Sequence, residues 1–565
     1  MLLAASLALP APVAGWAQSP GALRLPALGE SASDDLSVAD ERRIGDSIMR
    51  DGRRDPTFLD DPVLLDYVQL VWAPLVVAAR ARGDIEPDID RAFAFESFLL
   101  SERSVNAFAL PGGYVGVHLG LIGITNTRDQ FASVMAHELS HVTQRHIARS
   151  IAPGSRASMA GLATILLSIL AASRGASADV VNAGIAGGQA LAIQGQLNFT
   201  RDMEREADRV GYALLAAAGF STAGMAQMFE RLEVASRLSD SGNFPYLRSH
   251  PLTVDRIAEA RNRTLLASVS PPSPPLAHAL MQARARVLMD TGELALRRWV
   301  GGATSSPLLQ DQLAATYAGV MAAVLLKDRS RMSALGPALD EALRLTAVAQ
   351  PRQAWAERAL WMLKADLLLA RNDGAGAVQA LDAAPSVNEP GSSQRPLLLQ
   401  RAQAVLDWHQ RSPTTAAVAL RGATEDLQTW VTDNPQDGAA WEWLGLTAGA
   451  MGLRLRALRA AAESRAAVGD LNGAIDRLRS AQASSSSVAG QDFIEASVID
   501  SRLRRLVAER RQLFLEARGV RNTPPRDGGS EPPTGPATPE PTPAPAPSSP
   551  PPSPLPAPAP AMPSR

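Results

Sequence analysis

Residues 131–148 read FASVMAHELSHVTQRHIA and contain the segment His-Glu-Leu-Ser-His at 137–141. On an α-helix, residues four apart share one face and are about 6 Å apart along the axis. His137 and His141 would therefore present two imidazoles to one tetrahedral zinc ion. Glu138, one step round the helix, can reach a water at the metal as general base. Because the neighbouring residues are apolar, the segment predicts a buried active-site helix of a zinc peptidase rather than two histidines on a solvated face.

A catalytic zinc site needs a third protein ligand and one open coordination position. The metzincin pattern requires glycine at position 144 and histidine at position 147, and this chain has Gln144 and Ile147 there, so that class is excluded. His146 is a poor ligand candidate, because it would lie opposite His137 on a continuous helix. We expect His146 to serve the structure or to support a ligand.

A second acidic segment, FTRDMEREADRVGYALL at 199–215, supplies better candidates. Glu204 and Asp208 are four residues apart and share one helical face, while Asp202 and Glu206 point roughly the other way. Taken alone, such a pair is a weak indication of a metal site, because most such pairs are solvated helix charges. Together with the histidine motif it is a strong one. We assign Glu204 as the third metal ligand and Asp208 as the carboxylate that orients a ligand histidine.

Three motifs, AHELSHVTQRHI, EREADRVG and SHPLTVDRI, resemble a known family of zinc metallopeptidases. It includes the heat-shock protease HtpX, the CaaX prenyl proteases and the mitochondrial Oma protease. The likeness covers about residues 35–510 and is closest to the periplasmic branch of β-barrel assembly-enhancing (BepA-like) proteases. It implies an α+β zincin-like metallopeptidase domain, followed by an all-α TPR-like solenoid, and one Zn²⁺ per chain.

The segment NAFALPGGYVGVHLGLI at 106–122 alternates apolar residues with small or polar ones, which predicts a β-strand with one apolar face. The resemblance implies that this is an edge strand, to which an extended substrate adds by backbone hydrogen bonds. An ordinary core strand explains the alternation equally well. The expected substrate-binding stretch is Gly113, Tyr114, Val115, Gly116 and Val117.

The resemblance also implies roles for His250 and Arg256. His250 matches a histidine that approaches the zinc from a loop and fills the fourth position, which holds the enzyme latent. Without the resemblance it would be interpreted as a surface histidine before a proline. Arg256 joins Glu138 as an expected catalytic residue, either polarising a substrate carbonyl or holding a carboxylate.

Composition bounds the compartment and the partners. The net charge of −2, without basic clusters, gives no reason to expect nucleic acid. The absence of cysteine excludes disulfides and thiol ligands. Residues 1–17 have an apolar core and small residues at Gly15 and Ala17, and they predict a cleaved signal peptide and a periplasmic protein, although no Lys or Arg precedes the apolar stretch.

The apolar run SMAGLATILLSILAA at 158–172 is short for a membrane span, which needs about 20 residues. We expect a buried core helix there, with peripheral contact to a membrane surface or a partner as the alternative.

Composition shifts predict five regions. The prolines near 271–275 predict an interruption between helices. The Ala/Leu/Arg-rich part beyond has helical periodicity and degenerate matches to TPR repeats. A generic helical bundle is the alternative. We expect few contacts across the prolines. The predicted regions are a signal peptide (1–17), the metallopeptidase domain (18–270), a proline hinge (271–275), a TPR-like helical domain (276–522) and a disordered Pro-rich tail (523–565).

The expected function is zinc-dependent endoproteolysis of misfolded or misassembled cell-envelope proteins. Outer-membrane β-barrel proteins or their assembly factors would be the polypeptide substrates, and the outer-membrane β-barrel assembly machinery would be a partner docked on the solenoid. The alternative is a chaperone or assembly scaffold with a latent zinc site. The intact Glu138 favours an enzyme, because a structural zinc site has no need of a general base.

Overall fold

The computed structural model describes residues 36–150, 200–238, 244–266, 272–302, 306–485 and 492–517. The first half of the chain combines a small sheet with helices. Its strands are β1 (Phe58–Leu59), β2 (Glu96–Leu100), β3 (Ala107–Leu110) and β4 (Tyr114–His118). Its described helices are α1 (Val38–Gly52), α2 (Pro62–Arg82), α3 (Pro87–Ala92), α4 (Leu119–Ile124), α5 (Arg128–Thr143), α6 (His146–Ser150), α7 (Arg201–Ala217), α8 (Ala223–Leu238), α9 (Pro245–Ser249) and α10 (Val254–Leu266).

Side-chain caps fix where the main helices begin. In each case an oxygen accepts a hydrogen bond from the backbone N–H three residues on, which satisfies a donor that the helix itself leaves unpaired. The capping residues of α1, α2, α5 and α7 are Ser37, Asp61, Thr127 and Thr200. The caps of α5 and α7 matter most for function, because these two helices carry the predicted metal ligands.

Helix α2 forms the centre of the core. By length and composition it could cross a membrane, but 67% of its most apolar window is buried inside the protein. Leu64, Tyr67 and Leu70 have no exposed surface and belong to one apolar cluster that extends into the second half of the chain. The apolar character of α2 is therefore that of a core helix.

The sheet has the strand order β1-β2-β4-β3. Strand β4 pairs in parallel with β2 and antiparallel with β3, to which it is joined by a tight turn at residues 111–113. Gly112 and Gly113 in that turn have φ values of 77° and 85°, which favour glycine. A strand is present at Tyr114–His118, but the alternation read on to Leu121 does not continue as a strand, because Leu119 begins α4. The expected place at the sheet edge is also wrong, because Tyr114–Val117 pair with β2 on one side and with β3 on the other. The edge strand next to it is β3.

All the regular secondary structure described in the second half of the chain is helical. The helices are α11 (Pro275–Leu288), α12 (Glu293–Gly301), α13 (Leu309–Leu325), α14 (Arg329–Val348), α15 (Ala354–Ala370), α16 (Gly374–Asp382), α17 (Arg395–Arg411), α18 (Pro413–Asp433), α19 (Gly438–Ala450), α20 (Arg454–Ala467), α21 (Leu471–Ser485) and α22 (Asp492–Ala517). Most successive helices pack on one another. A left-handed Gly469 (φ 81°) separates α20 from α21.

The two halves share a polar as well as an apolar core. Arg284 on α11 donates both to Asp61 Oδ1 and to Asp61 Oδ2 at 2.8 Å. Trp355 Nε1 donates to Asp66 Oδ2 at 2.7 Å, and Arg358 pairs with the same carboxylate. The expectation that few contacts cross the proline hinge is therefore wrong. Residues 272–274 are not helical, but α11, which begins at Pro275, packs directly against α4 and α2 of the peptidase core.

Three predicted segments lie outside the described residues. They are the signal peptide at 1–17, the apolar run at 158–172 and the Pro-rich tail at 523–565.

Candidate metal centre and active site

Helix α5 brings His137 and His141 together at the centre of the first half. Their Nε2 atoms are 3.0 Å apart, and both side chains are buried. Glu138 follows on the same helix and has no exposed surface. The four-residue spacing thus places the two imidazoles as the sequence predicts.

Helix α7 supplies Glu204. Its Oε2 is 3.5 Å from His137 Nε2, and its Oε1 is 3.5 Å from His141 Nε2. Gly211 permits this arrangement, because a Cβ there would be only 3.2 Å from the backbone of Ala136 and His137. The close approach of α7 to α5 therefore depends on a residue without a side chain.

His250 completes the cluster from the end of the short helix α9. Its Nδ1 lies 2.9 Å from Glu204 Oε1 and 3.4 Å from His137 Nε2. The ring of Tyr246 packs on the His250 ring with centroids 4.8 Å apart, and the His250 backbone N–H donates to the Tyr246 carbonyl at 2.9 Å. His250 is thus a buried residue held in place by α9, not a surface histidine.

These four residues fit a zinc ion. One ligand atom from each of His137, His141, Glu204 and His250 lies within 4.8 Å of every other. The ligand atoms of His137 with each of the other three residues, and of Glu204 with His141 and with His250, are 2.9 to 3.5 Å apart. Ligand atoms at the corners of a zinc tetrahedron are about 3.3 Å apart, given Zn–N and Zn–O distances near 2.0–2.1 Å. Two imidazoles and a carboxylate are a known donor set for catalytic zinc.

A layer of charged groups lies behind the four clustered residues. Asp208 Oδ1 is 3.0 Å from His137 Nδ1, which leaves Nε2 for the metal. Arg256 donates to both oxygens of Asp208, at 2.7 and 2.8 Å, and pairs with Glu204 Oε2 at 2.7 Å. Of its two expected roles, the geometry favours holding carboxylates over polarising a substrate carbonyl.

Ion pairing sets the charge states in this layer. Burial would raise the pKa of Asp208, but the hydrogen bonds from Arg256 and His137 hold it below its usual value. Burial would likewise raise the pKa of Glu204, but the facing His250 and His137 hold it low. Both acids therefore stay ionised, as the predicted metal ligand and its predicted support must be.

Glu138 has a different environment. Both carboxylate oxygens are buried without a hydrogen-bond partner in the described part of the chain, and His250 Nε2 is 3.6 Å from Oε1. Burial raises the pKa of Glu138. A buried carboxylate whose pKa is raised in this way is suited to accept a proton as a general base.

His146 is not one of the four clustered residues, but it lies nearer to them than a continuous helix would place it. Helix α5 ends at Thr143, and Arg145 takes a left-handed conformation with φ 51°, so α6 begins in a new direction. His146 Nδ1 is consequently 2.8 Å from His141 Nδ1. The assumption of one continuous helix was therefore wrong. The break could not be predicted, because the sequence has no glycine or proline at this point.

Sequence reasoning missed three contributors. Tyr246 and Gly211 lie within or beside the quoted motifs, but neither has a chemistry that marks it as a site residue. Glu206 was placed on the far side of α7, and it accepts from His146 Nε2 at 3.1 Å. The only signal for Glu206 was a second acidic residue two positions after Glu204.

Comparison with known proteins finds one matching family and several similar chains. The sequence model of peptidase family M48 matches residues 87–264. The chain is 30% identical over 487 residues to the β-barrel assembly-enhancing protease of Yersinia pestis, covering 85% of this chain and 93% of that protein. It is 31% identical over 459 residues to the Escherichia coli K12 protein of the same name, covering 81% and 86%. A putative β-barrel assembly-enhancing protease of Vibrio cholerae is 40% identical over 243 residues, which are 43% of this chain and 47% of that protein.

Proposed function

Because the chain belongs to peptidase family M48 and is a zinc metalloendopeptidase, we propose that it cleaves misfolded or misassembled β-barrel proteins of the outer membrane. The names of the relatives support the substrate class, and the buried cluster around His137 supports the chemistry. The proposed place of action is the periplasm.

In the proposed mechanism His137, His141 and Glu204 hold the zinc. Bound zinc supplies a Lewis acid that polarises the scissile carbonyl and lowers the pKa of a water towards ~7. Glu138 accepts the proton of the attacking water and delivers it to the leaving amine nitrogen. Asp208 and Arg256 keep the ligands oriented and ionised.

His250 is proposed to hold the resting enzyme latent. Its ring lies between Glu138 and Glu204. Nε2 is 3.6 Å from Glu138 Oε1, and Nδ1 is 2.9 Å from Glu204 Oε1. An attacking water would need that space. Withdrawal of α9 would move His250 away and leave three ligands with an open position.

The proposed substrate strand is β3, which takes over the role first expected for β4. Strand β3 is at the end of the sheet and packs against α5, the helix that carries Glu138. An extended polypeptide can add to such an edge through backbone hydrogen bonds, which tolerate many sequences. This suits an enzyme whose substrates share exposed strands rather than a sequence motif.

The helices beyond residue 275 are proposed to form a TPR-like solenoid that docks partners, such as the outer-membrane β-barrel assembly machinery. Support comes from the succession of packed helices and from the length over which the two relatives align. The boundaries 18–270 and 276–522 are retained as proposed limits of the two functional regions, although they share one core.

Substrate trapping tests this function. A Glu138→Gln protein should bind zinc and retain uncut substrates, and mass spectrometry should find β-barrel proteins enriched over soluble periplasmic proteins. Wild-type protein inhibited with a chelator serves as the matched control. Equal capture of both protein classes would contradict the proposed substrate class.

A chaperone or scaffold role is the second candidate, favoured by the position of His250 in the cluster. It predicts that wild-type and Glu138→Gln proteins support β-barrel assembly equally.

A further inference from the structure

A line of three side chains leads from the metal centre to the outer face of α7. His146 Nδ1 is 2.8 Å from His141 Nδ1, and His146 Nε2 is 3.1 Å from Glu206 Oε2. The two imidazoles are buried, whereas the Glu206 side chain is 26% exposed. We propose that His146 and Glu206 are positioning residues, which fix His141 in the one tautomer and orientation that bind zinc. This inference rests on the proposed ligand role of His141.

The proton positions follow from the contacts. Two ring nitrogens 2.8 Å apart share a single proton, because two N–H groups facing each other would repel. When His141 Nε2 gives its lone pair to the metal, the proton of the neutral ring is on Nδ1 and is donated to His146 Nδ1. His146 then carries its own proton on Nε2 and donates it to Glu206. Each link admits one arrangement only.

The two histidine ligands would thus be supported in different ways. His137 Nδ1 faces the carboxylate of Asp208 directly at 3.0 Å. His141 reaches a carboxylate only through His146. In both cases the far nitrogen, Nδ1, faces its partner, and donating its proton there orients the ring and makes the metal-binding nitrogen more basic.

The backbone shows that the position of His146 is maintained at a cost. Arg145 adopts φ 51°, which disfavours a residue with a side chain and costs on the order of 1 kcal/mol. Its guanidinium is held by Glu41 Oε1 and by the Leu36 carbonyl, both at 2.6 Å. On a helix continued without this break, His146 would point away from His141.

A purely structural role of Glu206 would give different results from a role in positioning His141. Glu206 also accepts from Arg149 Nη1 at 2.9 Å, so its removal breaks an ion pair as well. Arg149→Gln removes the ion pair and leaves the contact between Glu206 and His146. Asp202→Asn, at an exposed position on the same helix, controls for the loss of a negative charge.

The experiment measures the zinc dissociation constant of the full chain by competition with a chromogenic chelator. His146→Phe should weaken zinc binding about 10- to 100-fold, and Glu206→Gln about tenfold, the range found when the partners of ligand histidines are removed. His146→Gln should recover most of the loss, since its amide can accept from His141 and donate to Glu206. Arg149→Gln and Asp202→Asn should stay within about twofold of wild type.

Three results would overturn the inference. The first is an unchanged dissociation constant for His146→Phe, and the second is an equal loss for Arg149→Gln and Glu206→Gln. The third concerns the fall in unfolding temperature that Glu206→Gln causes relative to wild type. An equal fall in the zinc-free and the zinc-loaded proteins would overturn the inference. His141→Ala tests the proposed ligand set separately: tight zinc binding by that variant would refute the proposed function, whereas zinc loss there with no effect of His146→Phe refutes only this inference.

Discussion

At the scale of single residues, the proposed latency of the metal centre depends on His250. His250→Ala should leave His137, His141 and Glu204 to hold zinc, open the fourth position and raise basal proteolysis. The rate of casein hydrolysis, normalised to bound zinc, measures this. Loss of activity with zinc retained would make His250 a donor to the reacting substrate, and latency would be abandoned.

Arg256 offers a second test at this scale. Arg256→Gln leaves two buried carboxylates, Glu204 and Asp208, without their cation, so zinc-free protein should lose about 3–5 kcal/mol of unfolding free energy. Chemical denaturation measures the loss. Arg261→Gln on the same helix removes an exposed pair with Glu230 and should cost less than about 1 kcal/mol. Equal losses would show that burial of the Arg256 pair does not matter.

Helical periodicity was sufficient to predict the relation of His137 to His141, because four residues along one helix fix the geometry. It also placed Glu204 and Asp208 on one face. It could not place His146 or Glu206. Their meeting depends on a helix break at Arg145, which carries no local signal and is held by Glu41, a residue 104 positions away.

At the scale of elements, the fit between α5 and α7 sets the distance between ligands. Gly211→Ala would place a methyl group 3.2 Å from the backbone of His137 and should lower the free energy of unfolding by about 1–3 kcal/mol, as overpacking does. It should also weaken zinc binding, because Glu204 moves with α7. Denaturation and zinc titration measure both effects.

Gly422 on α18 is the matched control. A Cβ there meets nothing within 4 Å, so Gly422→Ala should leave zinc binding unchanged and stabilise the protein by about 0.5–1 kcal/mol. A Gly211→Ala protein with the same gain would show that the two active-site helices have room to spare.

The sheet illustrates another limit of sequence reasoning. Alternation in residues 106–122 predicts a strand, since side chains of a strand point alternately to two faces. Alternation does not give the order of the strands in the sheet. That order depends on β2, which pairs with β4 although β3 lies between them in the sequence. The edge position was therefore assigned to the wrong member of the hairpin.

At the scale of the whole molecule, His278 links the peptidase core to the second half of the chain. Tyr67 Oη is 2.6 Å from its Nδ1, and the Thr125 carbonyl oxygen is 2.9 Å from its Nε2, an arrangement that satisfies a neutral ring. Burial lowers the pKa of His278 to about 4. Between this value and about 6.5, the ordinary histidine pKa, the unfolded chain binds the additional proton. Stability should therefore fall as the pH falls through this range.

The His278→Gln variant isolates this contribution, because its amide replaces both hydrogen bonds without titrating. Denaturation of the zinc-free proteins should show wild type losing up to about 3 kcal/mol relative to the variant from pH 7 to pH 4, at about 1.4 kcal/mol per pKa unit. Parallel curves over that range would contradict a neutral buried ring.

The same contacts explain why the proline hinge misled. Composition marks where helices must end, and the described residues 272–274 are indeed not helical. Composition cannot show that Arg284, ten residues into the next helix, forms a buried ion pair with Asp61. Long-range pairs of this kind decide whether two regions share a core, and neither partner stands out among the many charged residues of the sequence.

The central claim is that Glu138 acts as a base beside a zinc held by other residues. The most direct test is one paired measurement on Glu138→Gln, the zinc content per chain and the rate of peptide hydrolysis. We expect one zinc per chain, as in wild type, and a rate lower by about 10²- to 10⁴-fold, the usual contribution of a general base. Zinc loss as complete as that of His137→Ala, or hydrolysis at the wild-type rate, would contradict the assignment.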